Sequence, residues 1–204
     1  MKISDCWEAA SSFIVNGDTT NAIALCETEQ CSASLACQKY LGWTYFKQGE
    51  MEKALNWYAR AAEGGDAEAM YGIASVYFNL KDFQSALQHF ERAASTGIAR
   101  SYHWLGYMYL NGLGVPQDDR LGVHYYEKGA AHGYILAKRV LLHLTFKHGG
   151  LLTRIAAAPN YVYLFIKAAV LAYRNINDER LADIPNVFQP TTGFYPIACK
   201  IKLD

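Results

Sequence analysis

The sequence has no excess of charge of either sign. Its 19 Lys and Arg residues balance its 19 Asp and Glu residues, so the formal net charge is zero. A general nucleic-acid binder is normally basic, because contacts to the phosphate backbone supply most of its affinity. The charge balance therefore argues against nucleic acid as a partner.

Long apolar segments are also missing. Residues 1–8 contain no apolar run of the length found in a secretory signal, which favours a cytoplasmic protein. The most apolar stretch, residues 161–173, is too short to span a bilayer and contains Lys167. We therefore expect a buried helix there and no membrane insertion.

Recognisable catalytic motifs are absent as well. The sequence has no phosphate-binding Gly-rich loop, no His-Glu-x-x-His pair and no nucleophile elbow. Asp118 and Asp119 are adjacent carboxylates, but a helix cap explains them better than acid–base chemistry does. These absences predict a non-enzymatic protein that needs no cofactor.

Cysteine is present without a regular spacing. An odd number, five, at irregular intervals does not indicate a disulfide framework. Cys26 and Cys37 fall at repeat positions that suit small core residues, and Cys31→Ser is expected to be nearly neutral. A metal site formed by Cys26, Cys31 and Cys37 is an open alternative, although their spacing without a paired histidine is poor for zinc.

The sequence does contain an internal repeat of 32 residues. Gly42, Tyr45, Ala54, Tyr58 and Ala61 recur as Ala74, Tyr77, Ala86, Phe90 and Ala93. Small residues let two antiparallel helices approach closely, and aromatic residues fill the space between successive helical hairpins. Because one hairpin cannot bury both of its apolar faces, each must stack on a neighbour.

This pattern resembles the tetratricopeptide repeat. In the copy that begins near residue 99, the order is kept by Gly106, Tyr109, Gly122, Tyr126 and Gly129, with four residues added between the helices. The resulting loop, residues 111–118, resembles that of Sel-one-like repeats. The resemblance covers about residues 1–173. It implies an all-α, right-handed superhelical solenoid of about five helical hairpins that binds other proteins.

The repeat also predicts the domain organisation. Residues 1–175 should form the solenoid, and residues 176–204 a capping or extended tail in which Pro190 and Pro196 discourage helix. Four hairpins are expected near residues 3–30, 34–66, 67–97 and 99–133. A divergent fifth unit should begin at Ile135, with a long loop and a second helix over residues 161–173.

Repeat alignment assigns roles to turn and core positions. Gly49 should form a left-handed turn, and Asp18 or Thr19, Asp82 and Asp118 should begin second helices. Gly106→Ala is expected to be mild, because Ala74 fills the equivalent place. Two buried columns are expected: Cys37, Ala69, Ser101 and Ala137 on first helices, and Cys26, Tyr58, Phe90 and Tyr126 on second helices.

The resemblance indicates where a partner would bind. In such arrays the first helix of each hairpin lines a concave face, and three of its positions point into the groove. These positions hold Trp7, Ser11, Val15, Lys39, Trp43, Lys47, Tyr71, Ser75, Asn79, His103, Tyr107, Asn111, Arg139, His143 and Lys147. None is acidic, so we expect a basic, aromatic groove that binds an acidic peptide or helix. Ordinary half-buried helix residues with a chance basic bias are the alternative.

Two other functions stay open from the sequence. Small repeat proteins of this type can act as bacterial immunity proteins that neutralise a toxin or effector by direct binding, and a basic groove could mask an acidic partner. An enzyme of unrecognised type is the less favoured third interpretation.

Overall fold

The structure, a computed structural model, describes residues 3–148, 158–160 and 162–163. No strand occurs among these residues, and consecutive antiparallel helices pair as hairpins. The all-α prediction is therefore confirmed for this part of the chain. The chain divides into two compact units, Met1–Ile98 and Ala99–Asp204.

Each unit is built from consecutive helices. The described helices of unit 1 are α1 (Ile3–Val15), α2 (Thr19–Cys26), α3 (Leu35–Gln48), α4 (Met51–Glu63), α5 (Ala67–Asn79) and α6 (Phe83–Ser95). Those of unit 2 are α7 (Ala99–Asn111), α8 (Asp119–Ala131) and α9 (Ile135–His148). Within unit 1, the α3–α4 hairpin packs on α5. Within unit 2, α9 packs on α8, so the hairpins stack as a solenoid does.

Aspartates begin four of these helices. The side chains of Asp18, Asp66, Asp82 and Asp118 each accept a hydrogen bond from a backbone N–H three residues later, at 2.9–3.1 Å. These bonds satisfy helix N–H groups that have no partner within the helix. The Ser85 hydroxyl and N–H both donate to Asp82 and lower the pKa of its carboxyl. The predicted caps Asp18, Asp82 and Asp118 are confirmed.

The hairpin turns use a left-handed residue. Gly49, between α3 and α4, has φ 84°, as the sequence predicts. Its counterpart between α5 and α6 is Lys81, with φ 64°. An L-residue pays a steric cost in this conformation that glycine avoids.

We therefore expect Lys81→Gly to raise the free energy of unfolding by about 1 kcal/mol, because it removes left-handed strain at the turn. Urea unfolding followed by circular dichroism measures the change. Gly49→Lys is the matched reverse substitution and should lose a similar amount. Identical midpoints for wild type and both variants would count against strain at this turn.

Tyr58 of α4 is the centre of packing in unit 1. A Cβ built on Gly42 of α3 would lie 2.8 Å from the Tyr58 ring, and one on Gly72 of α5 would lie 2.5 Å from it. Both separations are too short for a real side chain, so the ring fits because each neighbouring helix offers a glycine. The column residues Cys26, Tyr58 and Phe90 are buried, as predicted.

Helices α7 and α8 of unit 2 cross at a point where each carries a glycine. A Cβ on Gly106 would lie 2.9 Å from the carbonyl oxygen of Gly122, and one on Gly122 would lie 3.1 Å from that of Gly106. The expectation that Gly106→Ala is mild is therefore wrong. The obstacle is backbone of the facing helix, which cannot move aside as a flexible side chain can.

The loop between α7 and α8 has the predicted extra length. It comprises residues 112–118, whereas residues 80–82 connect α5 and α6, so four residues are added. The Leu113 N–H donates to the Met108 carbonyl and the Asp118 N–H to the Tyr109 carbonyl, both at 2.9 Å. These bonds close the loop over the end of α7.

A disulfide corrects the sequence prediction for cysteine. Cys6 of α1 and Cys31, in the connection between α2 and α3, are bonded with their Cα atoms 5.5 Å apart. The spacing along the chain gave no sign of this pair, because folding of the first hairpin brings the two together. Cys31 is therefore not available to a metal site with Cys26 and Cys37, which are free, buried thiols.

The fifth unit is described in part. Its first helix, α9, begins at Ile135 as expected. The second helix predicted over residues 161–173, the tail of residues 176–204 and the boundary between them lie outside the described residues, apart from two residues of that helix.

Candidate functional site

Unit 1 exposes two tryptophans on neighbouring helices. Trp7 of α1 is 38% exposed and Trp43 of α3 is 50% exposed. Both rings contact Tyr40, with centroid separations of 6.0 Å to Trp7 and 6.5 Å to Trp43. The Lys47 ammonium lies 5.9 Å from the centroid of the Trp43 ring. We call these four residues the Trp7–Trp43 surface.

Tyr40 belongs to this surface but is not one of the groove positions predicted from the repeat. It is buried, and burial raises the pKa of its hydroxyl, so the ring is a neutral support for the two indoles. Tyr40 and Trp43 are three residues apart on α3 and therefore share a face. That spacing of two aromatics was the signal available in the sequence.

Lys39, a predicted groove cation, is paired. Its ammonium lies 2.9 Å from Oδ2 of Asp66, whose other oxygen caps α5. The Asp66 side chain is 14% exposed, which reduces screening of the pair by water. The positive potential at this position is therefore lower than the sequence suggests, because the compensating acid comes from a turn and not from a first helix.

The remaining unit 1 positions range from buried to exposed. Tyr71 is buried, and its ring centroid lies 5.7 Å from that of Phe90 on α6. The Ser75 hydroxyl donates to the Tyr71 carbonyl at 2.9 Å, and Asn79 is half-buried. On α1, the Ser11 hydroxyl donates to the Glu8 carbonyl and Val15 is exposed.

In unit 2, His103 is surrounded by aromatic rings. Ring centroids of Tyr126, Tyr134 and Trp104 lie 5.2, 5.5 and 6.0 Å from it. Its Nδ1 atom is buried without a hydrogen-bond partner. Desolvation lowers the pKa of His103 to about 4, so the imidazole is neutral near pH 7 and adds no positive charge to the surface.

We expect His103 to make stability depend on acidity. The folded-state pKa, about 4, lies below the usual 6.5, so its contribution is complete above pH 6.5 and is lost as pH falls toward 4. In wild type, protonation of His103 should lower the free energy of unfolding by about 2 kcal/mol between pH 6.5 and 4.5, and His103→Phe should abolish this decrease. Urea unfolding at each pH measures it. His143→Phe, at an exposed position, is the control. Equal pH profiles for wild type and His103→Phe would refute this assignment.

The other unit 2 positions lie on α7 and α9. Tyr107 presents its ring edge-on to Trp104 at 6.0 Å, and the Asn111 amide donates to the Tyr107 carbonyl at 2.7 Å. On α9, Arg139 is half-buried, whereas His143 and Lys147 are exposed. Their spacing of four residues places the three side chains along one face of a helix that contains no acid.

Comparison with known families agrees with the predicted resemblance. The Sel1 repeat matches residues 36–66 and 99–134, and the tetratricopeptide repeat matches residues 67–96. These ranges cover α3 from its second residue, all of α4, and the whole α5–α6 and α7–α8 hairpins. Residues 36–134 therefore contain Sel1-like and tetratricopeptide-like repeats. Such repeats indicate a protein–protein interaction module in general, and their fold is typically a non-enzymatic scaffold. No curated protein sequence matches the chain.

Solved structures share the fold at low sequence identity. A Sel1 repeat protein from Oxalobacter formigenes is 22% identical over 74% of this chain and 69% of that one, with a TM-score of 0.58. MamA is 20% identical over 78% of this chain and 96% of its own, with a TM-score of 0.57. The protective antigen c5321 of uropathogenic Escherichia coli is 21% identical over 87% of this chain but 46% of its own, with a TM-score of 0.54.

The described residues contain neither a membrane-spanning helix nor a set of metal ligands. No helix among them has both the length and the apolar character needed to cross a bilayer. In the same part of the chain, no three His, Cys, Asp or Glu side chains gather as a set of metal ligands.

Proposed function

We propose that the chain is a non-enzymatic adaptor that holds a protein or peptide segment on the exposed faces of its first helices. The observation that carries this proposal is the Trp7–Trp43 surface. Two half-exposed indoles supported by a buried tyrosine present a large, rigid apolar area, and such residues dominate the energetics of protein interfaces.

The two units offer different chemistry to a partner. In unit 1, Asp66 compensates the positive charge of Lys39, and the Lys47 ammonium lies beside the Trp43 ring. The area that the Trp7–Trp43 surface offers is therefore mainly that of its aromatic rings. In unit 2 the exposed charges of α9 are basic. We therefore propose that unit 1 holds an apolar anchor of a partner and, independently, that α9 of unit 2 attracts acidic residues. Contact area at the tryptophans supplies the affinity, and the α9 charges speed association.

Selection from a displayed peptide library, followed by fluorescence anisotropy, tests this function. Trp43→Ala should weaken binding of the selected peptide about 30-fold, because an aromatic anchor at an interface typically contributes about 2 kcal/mol. Circular dichroism verifies that the variant keeps its helices. Lys147→Glu should instead slow association, most strongly at low salt.

The matched controls are on second helices. Glu52→Ala on α4 and Arg92→Ala on α6 change exposed charges away from the first-helix faces and should leave the affinity unchanged. Binding that survives Trp7→Ala and Trp43→Ala but is lost in these controls, or on deletion of residues 185–204, would place the partner elsewhere and refute the proposal.

The immunity alternative uses the same surface against a toxin or effector. Co-expression with a candidate toxin should then rescue growth, and Trp43→Ala should abolish the rescue. Rescue that is indifferent to Trp7 and Trp43 would separate this role from the surface proposed above.

A further inference from the structure

The disulfide lies at the edge of the Trp7–Trp43 surface. Cys6 directly precedes Trp7 on α1, and Cys31 lies four residues before the start of α3, which carries Tyr40 and Trp43. The Trp7 ring meets α3 at Tyr40, with the edge-on geometry favoured by aromatic pairs. A displacement of α1 that breaks this contact would therefore remove Trp7 from the surface that Tyr40 and Trp43 form.

The segment that carries Cys31 is anchored to α3. The buried Gln38 amide donates to the Ser32 carbonyl at 2.8 Å, and the Ser34 N–H donates to the Cys31 carbonyl at 2.9 Å. Because Ser34 is the residue that precedes α3, the Cys31 backbone is fixed relative to that helix. The disulfide thus links α1 covalently to a segment that is positioned with Tyr40 and Trp43.

The large apolar side chains of the first hairpin are only partly buried. Its fully buried residues are the small Cys6, Ala10, Ala22 and Cys26, whereas Phe13, Ile14, Ile23 and Leu25 pack against the core partly exposed. The next hairpin buries the larger Leu41, Tyr45 and Tyr58. Burial stabilises in proportion to the apolar area removed from water, so α1 gains less from packing than α3 does. In addition, α2 is short, with eight residues. The disulfide therefore adds a covalent link to α1 where its side-chain burial is incomplete.

We propose that the Cys6–Cys31 disulfide is a redox control on the Trp7–Trp43 surface. The oxidised chain holds Trp7 beside Trp43, and the chain reduced by a dithiol releases α1 and dismantles the surface. The dithiol gives two electrons and two protons to the Cys6–Cys31 bond and becomes a disulfide itself, leaving two protein thiols. Both sulfurs are buried, so reduction proceeds through local opening of α1. The binding consequence rests on the proposed function.

Hydrogen exchange on the full chain, with and without dithiothreitol, tests the structural half. After reduction, the amides of residues 3–15 should exchange at least about tenfold faster, and those of α5 and α6 should keep their rates. Unchanged exchange in residues 3–15 would overturn the proposal. Loss of protection throughout unit 1 would also overturn it, because the disulfide would then stabilise the whole unit and not control one helix.

Affinity for the library-selected peptide tests the binding half. Reduction should weaken binding about tenfold, in line with the loss of one aromatic anchor. Faster exchange of α1 with unchanged affinity would overturn the control of binding. If no peptide can be selected, the proposed function fails and the binding half with it, while the exchange data still decide whether the disulfide holds α1.

Two variants show that the reductant acts through this bond. Cys6→Ser combined with Cys31→Ser should behave as the reduced chain whether or not dithiothreitol is present, with protection of α5 and α6 confirming that it folds. Cys37→Ala removes a buried thiol that lies on α3, outside both the disulfide and the first hairpin, and should respond to dithiothreitol as wild type does. A response that persists in the double variant would overturn the assignment to Cys6–Cys31.

Discussion

Gly106→Leu is expected to lower the free energy of unfolding of unit 2 by about 3 kcal/mol or more, because it overpacks the α7–α8 crossing. Even the first carbon of the new side chain would lie 2.9 Å from the Gly122 carbonyl oxygen and from the Tyr126 ring. The helices must separate to admit it, and the burial of Leu110 and Tyr126 is then reduced. Thermal unfolding followed by circular dichroism measures the loss.

Two further substitutions test whether the loss of stability is specific to the α7–α8 crossing. Gly106→Ala should also destabilise, by about 1–3 kcal/mol, since its methyl meets the same backbone oxygen. Arg120→Leu places the larger side chain at an exposed position of α8 and should change stability by less than about 0.5 kcal/mol. Equal melting temperatures for wild type and Gly106→Leu would show that α7 and α8 do not cross at these glycines.

Cys31→Ser is expected to destabilise the α1–α2 hairpin by about 3 kcal/mol under oxidising conditions. The Cys6–Cys31 bond joins residues 25 apart, and a loop of that length removes about this much conformational freedom from the unfolded chain. An early loss of helix should precede the main thermal transition. Peptide mapping without reductant should find Cys6 linked to Cys31 in wild type.

Reducing conditions provide the control for this substitution. With dithiothreitol present, wild type and Cys31→Ser should unfold alike, because neither then has the covalent link. Were the two proteins equally stable under oxidising conditions, the disulfide would contribute nothing to the first hairpin.

Features that depend on repetition could be predicted from the sequence. Glycine at position 49, the aspartates at 18, 82 and 118, and the buried column that contains Tyr58 each recur or stand at a fixed offset, so their roles follow from the spacing. The added loop between α7 and α8 was visible for the same reason: it breaks the period by four residues.

Features that depend on contacts between non-equivalent positions could not be predicted. Cys6 and Cys31 belong to no common column, so alignment of repeats cannot pair them. Lys39 is a groove position by its offset, but the carboxylate that compensates it is Asp66, at a turn. His103 is a basic residue in the sequence, yet the rings around it keep it neutral.

The packing around Tyr58 has a consequence for how such a chain can change its length. Where the first two hairpins of unit 1 meet, small Cys26 lies near large Tyr40; where the next two meet, large Tyr58 lies against Gly72. At the first interface the small residue is on the second helix of a hairpin and the large one on the helix that follows. At the next interface the sizes at these two positions are reversed. Removing residues 35–66 would keep the period but set Cys26 beside Gly72, leaving a void at the new interface. The hairpins of unit 1 follow one repeat template, but the volumes of these side chains decide which hairpins can pack together.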